Sequence, residues 1–463
     1  MSETEIPTLW EKSSDRPIWW MVLVLAWPAL LQNWLTIAVN LSDRLLAGRF
    51  LGLETQGQTA AQAAQTTAAY LAWFLSCYSA LVTVGATTLT AHLIGAGNRR
   101  EAGAVLHQAL LLAALLGLLG TVGGLTVLEP LLWLLQLRDT SAAFAADYLR
   151  PLLYQLPLQM LGSAGIACLC GAGDTRTGLW VLGSVALLNL PLSWVFCLGG
   201  GPVPALGFVG IAIGTAVSQA LGSLAVLLLL LHGRAGLRLR WRDLQVRLDL
   251  VIRMLRVGIP AGVDTFSMQI GFMVFLSIIN GLGDTAAAAH GVALAWESLG
   301  YQSGSAFGVA AITVVGQNLG AGRPDRAARG GWIAFGMGAA LMSFMGFLFF
   351  CFAVPMFQLF CPRPEQTAIV ATGVPVLRLV AFGMPALASC MILAWALRGA
   401  GDTRWPMLFT WIGFFGVRIP LALLLTGWLG LFGAWLAMCT DLYVRGLCVL
   451  WRFASGRWQG IRV

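Results

Sequence analysis

Charge is scarce in this sequence: of 463 residues only 10% are Asp, Glu, Lys or Arg, against 58% that are hydrophobic. Water-soluble domains carry about 25% charged residues, so this chain has too little polar surface to dissolve itself, and lipid must be its solvent. Histidine is nearly missing too. His92, His107, His232 and His290 share no spacing, and none sits with Cys in a ligand pattern, so no metal site is expected. Nine cysteines are scattered through apolar stretches; only Cys168 and Cys170 lie close together, without the spacing of a zinc or redox motif, and buried inert thiols are expected. The first sixteen residues are polar and lack an apolar core followed by a small-residue cleavage site, so no cleaved signal peptide is expected. No motif calls for a cofactor. The net charge of +8 would suit nucleic acid, but Arg collects in the cytoplasmic loops of membrane proteins. Topology accounts for the excess, and no nucleic-acid partner is expected.

What the sequence does have is apolar stretches of roughly 20 residues, long enough to cross a bilayer as helices. Twelve recur, over 18–48, 58–92, 103–127, 144–169, 177–199, 207–231, 257–281, 286–318, 330–354, 372–397, 405–427 and 430–452. Their length excludes a β-barrel, whose strands need only about ten residues. Abundant Gly within them lets helices approach closely. The stretch after the sixth carries Arg234, Arg238, Arg240, Arg242, Arg247, Arg253 and Arg256 against Asp243 and Asp249, which makes it cytoplasmic by the positive-inside rule. With twelve spans both termini then lie inside. An inner or plasma membrane location is expected.

Self-comparison shows a repeat. Gly171-Ala-Gly-Asp-Thr-Arg176 returns as Gly399-Ala-Gly-Asp-Thr-Arg404, and Pro157 returns as Pro385 at the same separation. Gly95-Ala-Gly97 answers Gly320-Ala-Gly322, Pro28 answers Pro260, and Asn189-Leu-Pro191 answers Arg418-Ile-Pro420. Each half has six spans, so both enter from the same side, related by an axis along the membrane normal, as in some transporters. The fold expected is all-α and integral to the membrane: twelve helices in two homologous six-helix lobes, over 1–231 and 257–463, joined by an Arg-rich linker at 232–256. Gly-Ala-Gly-Asp-Thr-Arg is not a phosphate-binding loop, which would follow a β-strand. It reads as a turn in which Gly takes a conformation other residues resist and Asp or Thr caps the next helix.

The Pro28 helix ending in Asn40-Leu-Ser-Asp43, the Gly258-Ile-Pro260 entry to the seventh span, Ala289-His290, Val315-Gly-Gln-Asn-Leu-Gly-Ala-Gly322 and the paired Gly-Ala-Gly-Asp-Thr-Arg turns together resemble the multidrug and toxic compound extrusion (MATE) family. The resemblance covers essentially the whole chain. It implies a central cavity with alternating access and export of amphipathic, often cationic organic compounds against inward H⁺ or Na⁺. It also implies that Asp43 is the acid of the first span that binds the coupling cation, with Asn189 and Thr215 beside it. The family's second acid is replaced by Ser193, which removes one negative charge, weakens dehydration of Na⁺ and favours H⁺. Acids that some members carry in the seventh and tenth spans fall near Met268 or Gln269 and at Leu387, and are missing here.

A carboxylate or guanidinium inside a membrane span is costly and by default functional. Asp264, Glu297 and Arg418 are such groups, with Arg418 at the position of Asn189 in the repeat. Arg418 is expected to find its anion in Asp264 or Glu297. Asp441 and Arg445, one turn apart, are expected to pair locally. Trp34, Trp194, Tyr301 and Gln302 are candidates for a cavity that takes flat cations on its π-faces. The expected partners are a small-molecule substrate and the bilayer, with the chain a monomer and not an enzyme. A lipid-linked or polysaccharide flippase of the same superfamily is the alternative. An integral-membrane enzyme would need a nucleophile with its base, or clustered His and Asp, and the sequence offers neither.

Overall fold

The computed structural model describes residues 16–45, 77–134, 139–200, 204–240 and 245–461. Among them the chain is helical almost throughout. The first half holds α1 (Ile18–Leu45), α2 (Cys77–Gly95), α3 (Arg99–Leu134), α4 (Asp139–Gly171), α5 (Thr175–Leu198) and α6 (Phe208–His232). The second half holds α7 (Leu248–Asn280), α8 (Asp284–Gly320), α9 (Pro324–Phe360) and α10 (Thr367–Gly399). The helical stretch Arg404–Ala454 breaks at Gly430, whose φ of 56° no α-helix accommodates, into α11 (404–429) and α12 (431–454). These match the twelve apolar stretches, although 46–48 of the first stretch and 58–76 of the second lie outside the described residues. Prolines sit inside most of them, Pro28, Pro157, Pro191, Pro260 and Pro385 among others, as membrane helices tolerate.

The chain divides into two units near 255. The first contains the described residues from 31 to 94 and from 98 to 255, the second those from 16 to 30, 95 to 97 and 256 onward. Within the first unit α3 packs along α4, α4 along α6, and α5 along α6; within the second, α9 packs along α10 and α10 along the α11–α12 pair. The repeat recurs in atomic detail. A Cβ at Gly171 would meet the Thr87 carbonyl of α2, and one at Gly399 would meet the Ile312 carbonyl of α8. Only a hydrogen at these two places lets the backbones approach so closely.

The turns are built alike. After α4 the Asp174 N–H donates to the Leu169 carbonyl at 2.8 Å, and after α10 the Asp402 N–H donates to Leu397 at 2.9 Å. Gly173 and Gly401 take φ of 91° and 84°, the left-handed conformation that closes a helix in this pattern. The Gly95-Ala-Gly97 and Gly320-Ala-Gly322 turns close the same way, with Asn98 donating to Leu93 and Arg323 to Asn318, both at 2.9 Å. Asp174 then caps α5 by accepting from the Thr177 N–H at 3.0 Å, and also holds Arg234 at 2.9 Å. Asp402 holds Arg452 of α12 at 2.8 Å. Burial pushes the Asp402 carboxyl above its ordinary range, against the opposing pull of Arg452.

Residues 233–247 connect α6 to α7, since α7 begins at Leu248. Leu250, Met254 and Val257 repeat at helical spacing and are buried, which carries the helix back through the Arg-containing stretch. The linker is also tied down. The Arg240 N–H donates to His107 Nε2 at 3.0 Å, Gln108 of α3 donates to the Gln245 carbonyl and accepts from the Arg247 N–H, and Arg247 pairs with Glu101 at 3.0 Å.

Two helical stretches of the second half widen into π-turns, Ser389–Leu393 in α10 and Ile412–Arg418 in α11. Arg418 closes the second.

Candidate functional site

In the first unit α5 and α6 bring a small uncharged cluster together. Asn189, placed mid-helix by the α5 sequence Leu188-Asn-Leu-Pro191, is buried and donates from Nδ2 to Thr215 Oγ1 at 3.0 Å and to Ser218 Oγ at 3.4 Å. Thr215 and Ser218 face Asn189 because they lie three residues apart on α6. Their hydroxyls are anchored to backbone carbonyls of their own helix, Ile211 and Thr215. Ser193, one turn beyond Asn189, is fully buried beneath Gly214, where a Cβ would strike it. Asn189 Oδ1 and Ser193 Oγ have no hydrogen-bond partner among the described residues. The cluster therefore offers two free acceptor oxygens and no formal charge. Asp43 lies in the last turn of α1, where side chains fall outside the described residues. Ser218 is a member that the sequence alone did not single out. Its signal was the (i, i+3) spacing from Thr215.

The second unit is different. Arg418, 2% exposed, donates to Asp441 Oδ2 from Nε at 2.8 Å and from Nη2 at 2.7 Å. Asp441, 0% exposed, also accepts from Arg445, through Oδ1 at 2.7 Å and Oδ2 at 2.8 Å. One carboxylate thus serves two guanidiniums. The expectation that Arg418 pairs with Asp264 or Glu297 is corrected: its hydrogen-bonded acid is Asp441. Gly413 makes this possible, since a Cβ there would overlap the Asp441 carboxylate and the Arg445 stem. The Arg418 guanidinium also stands 4.1 Å from the Phe414 ring centroid and about equally far, at 5.5 and 5.6 Å, from those of Phe275 and Phe272. Such rings stabilise a desolvated cation.

Asp264 of α7 is buried and ion-paired with Arg398 of α10. Its second oxygen has no hydrogen-bond partner among the described residues. Glu297 of α8, 9% exposed, lies within electrostatic reach of Arg418 but accepts no hydrogen bond among the described residues. Tyr301, one turn further along α8, lies within electrostatic reach of Arg398, Arg445, Asp264 and Glu297, and is 41% exposed. Gln302 beside it is half-buried. Trp34 and Trp194, in the first unit, are both more than a third exposed. The second unit's charged cluster thus gathers Asp264, Glu297 and Arg418 from the sequence candidates and adds Arg398, which sequence reasoning missed because it precedes a turn rather than interrupting an apolar run. Among the described residues no group of three or more His, Cys, Asp or Glu side chains is placed to hold a metal.

Ten of the helical stretches, with Arg404–Ala454 counted as one, are long and apolar enough to cross a membrane, and the chain is a multi-pass membrane protein. The MatE family model matches it twice, over 28–195 and 260–424, so the two matches begin on the repeat-equivalent Pro28 and Pro260. The chain is 28% identical over 455 residues to a probable multidrug resistance protein NorM of Thermotoga maritima, covering 95% of this chain and 92% of that protein. It is 26% identical over 445 residues to a probable multidrug resistance protein YoeA of Bacillus subtilis, covering 94% and 93%. In three dimensions it is similar to a MOP superfamily transporter from Pyrococcus furiosus, with a TM-score of 0.87 over 95% of this chain and 97% of that one at 20% identity. A family model matched in both halves, relatives matched nearly end to end, and a twelve-helix fold shared with a solved transporter agree: the chain belongs to the MatE family, the multidrug and toxic compound extrusion transporters.

Proposed function

We propose that this protein is a secondary active antiporter that exports amphipathic, often cationic organic compounds in exchange for inward H⁺ or Na⁺ by alternating access. The observation that carries this reading is the pair of buried polar clusters at repeat-equivalent positions, around Asn189 and around Arg418. Ionisable and polar groups inside a membrane bundle are retained where ions or substrates are handled. The relatives' names as multidrug resistance proteins give the substrate class.

In this reading Asp43, with Asn189 and Thr215, is the ion-responsive element of the first half. The free Asn189 oxygen and Ser193 hydroxyl supply neutral ligands or hydrogen-bond partners to it. Exposed Trp34, Trp194 and Tyr301, with Gln302, offer flat surfaces and a polar handle to the substrate. The protein acts in the inner or plasma membrane with both termini in the cytoplasm. One cation moving inward yields about 2.3 kcal/mol per 100 mV, which sustains a concentration ratio of about fifty for a neutral substrate at roughly 1.4 kcal/mol per tenfold. Export of a monovalent cation against one inward cation cancels the electrical part, so that exchange rests on the ion's own gradient.

Inside-out vesicles holding the protein, given an imposed pH or Na⁺ gradient and ethidium as substrate, test the reading. Uptake of dye under one gradient and not in its absence is expected. Asp43→Asn should reach the membrane in normal amount and lose gradient-driven uptake, whereas Asp264→Asn should be milder. Wild-type vesicles that move dye equally with and without every gradient sink the antiport reading, and an Asp43→Asn protein at the wild-type rate sinks the assignment of Asp43.

A further inference from the structure

The second unit buries four acids, Asp264, Glu297, Asp402 and Asp441, and four arginines, Arg398, Arg418, Arg445 and Arg452. Three of the acids are held by an arginine: Asp264 by Arg398, Asp402 by Arg452, and Asp441 by both Arg418 and Arg445. Glu297 alone among them has no arginine hydrogen-bonded to it, although Arg418 is close enough to feel its charge and Arg418 Nη1 has no hydrogen-bond partner among the described residues. Glu297 thus feels the charge of Arg418 without being held by it.

This arrangement decides which acid is free to change its charge. Neutralising Asp441 would leave two buried guanidiniums without an anion, and neutralising Asp264 would strand Arg398; an uncompensated buried charge is costly. Neutralising Glu297 breaks no ion pair. With Glu297 ionised, the eight groups sum to zero, and with Glu297 neutral to +1.

We propose that Glu297 is a proton-exchange group of the second half, taking up H⁺ from solvent and returning it in each transport cycle while the arginine-held acids stay ionised. In uptake an O–H bond of hydronium breaks and one forms on a Glu297 carboxylate oxygen, with water left behind and nothing else changing hands. The inference rests on the antiport reading and names its ion as H⁺ in this half. Na⁺ is disfavoured because a hard cation needs a shell of several oxygens, whereas the groups around Glu297 are of another kind. They are Arg418 on α11, Cys439 on α12 and Tyr301 on its own helix, with Arg398, Arg445 and Asp264 within reach of Tyr301 and His290 two turns earlier on α8. His290 is enclosed by the Phe275 and Trp435 rings, 6.2 and 5.3 Å away between centroids. Uptake of a proton places one net positive charge beside the exposed Tyr301, one turn away. An organic cation resting on that ring is then repelled, so proton and cationic substrate compete without sharing a ligand.

The purified full chain in lipid tests this by pH-difference infrared spectroscopy between about pH 5 and about pH 9, the range that spans perturbed carboxyl groups. A protonated-carboxyl band that titrates in the wild type, persists in Asp43→Asn, shifts in Glu297→Asp and is missing in Glu297→Gln is the expected result. A titrating band undiminished in Glu297→Gln, or no titrating band in the wild type, overturns the proposal. In proteoliposomes, ethidium transport driven by a pH gradient should be lost in Glu297→Gln and recovered in part by Glu297→Asp. Ethidium binding, read by fluorescence anisotropy, should stay near the wild-type level, which shows that the variant is folded. Undiminished pH-driven transport in Glu297→Gln also overturns the proposal. If wild-type liposomes move no ethidium under any gradient, it is the antiport reading that fails, and the infrared result still decides whether Glu297 exchanges a proton.

Discussion

The same place in the repeat is filled by Asn189 in the first half and Arg418 in the second, and the surroundings have followed each residue. Around Asn189 there are hydroxyls, two unpartnered oxygens and no described charge; around Arg418 there is a shared carboxylate, a second arginine and three aromatic rings. The turns and close helix approaches, by contrast, are nearly superposable in kind, down to the carbonyls beneath Gly171 and Gly399. The scaffold has thus been held constant while its polar contents diverged. Backbone geometry tolerates little change, whereas a buried polar group tolerates any replacement that brings its own partners.

The sharpest way to break this contrast is Asp441→Asn, which leaves Arg418 and Arg445 without their acid. Removing one partner of a buried ion pair costs about 3–5 kcal/mol, so a steep fall in the melting temperature of the detergent-purified protein is expected; unchanged melting would mean that water or lipid already reaches the cluster. Next come Gly171→Ala and Gly399→Ala, where the added methyl meets a carbonyl in each half. Overpacking costs about 1–3 kcal/mol, and the two variants should melt lower by similar amounts. A tolerant half would show that the repeat is equivalent in sequence and not in packing. Asn189→Ala removes the donor to Thr215 and Ser218, whose hydroxyls keep their backbone acceptors, so it should cost about 0.5–1.5 kcal/mol and much less than Asp441→Asn. The smallest effect is expected for Arg247→Ala at the linker. Its pair with Glu101 is 41% exposed on the arginine side, and exposed pairs contribute about 0–1 kcal/mol.

What the sequence disclosed and what it hid divide along local and non-local lines. Twelve spans, the two halves and the four Gly-Ala-Gly turns were legible because hydropathy, proline placement and left-handed glycine are demands that a short stretch makes by itself. The Asp441–Arg445 pair was legible for the same reason, being one helical turn. The partners of Arg418 and Asp264 were not, since Asp441 lies 23 residues from Arg418 and Arg398 lies 134 from Asp264. The linker's anchors were hidden likewise: His107 and Gln108 read as two polar residues in an apolar helix, and only the fold brings Arg240, Gln245 and Arg247 to them.

The π-turn at Ile412–Arg418 has a consequence for the history of the chain. Gly171 and Gly399 are 228 positions apart, but Asn189 and Arg418, and Pro191 and Pro420, are 229 apart. One residue has therefore been gained by the second half, or lost by the first, between the turn and the polar position, and the widened turn is where an α-helix absorbs an extra residue without breaking. Downstream side chains keep their inherited facing while the extra residue bulges. Deleting one residue from 412–416 in the second half would then regularise the helix and leave Arg418 in phase with Asn189, so a folded deletion variant is a direct test of whether this helix and its counterpart in the first half drifted apart by a single codon.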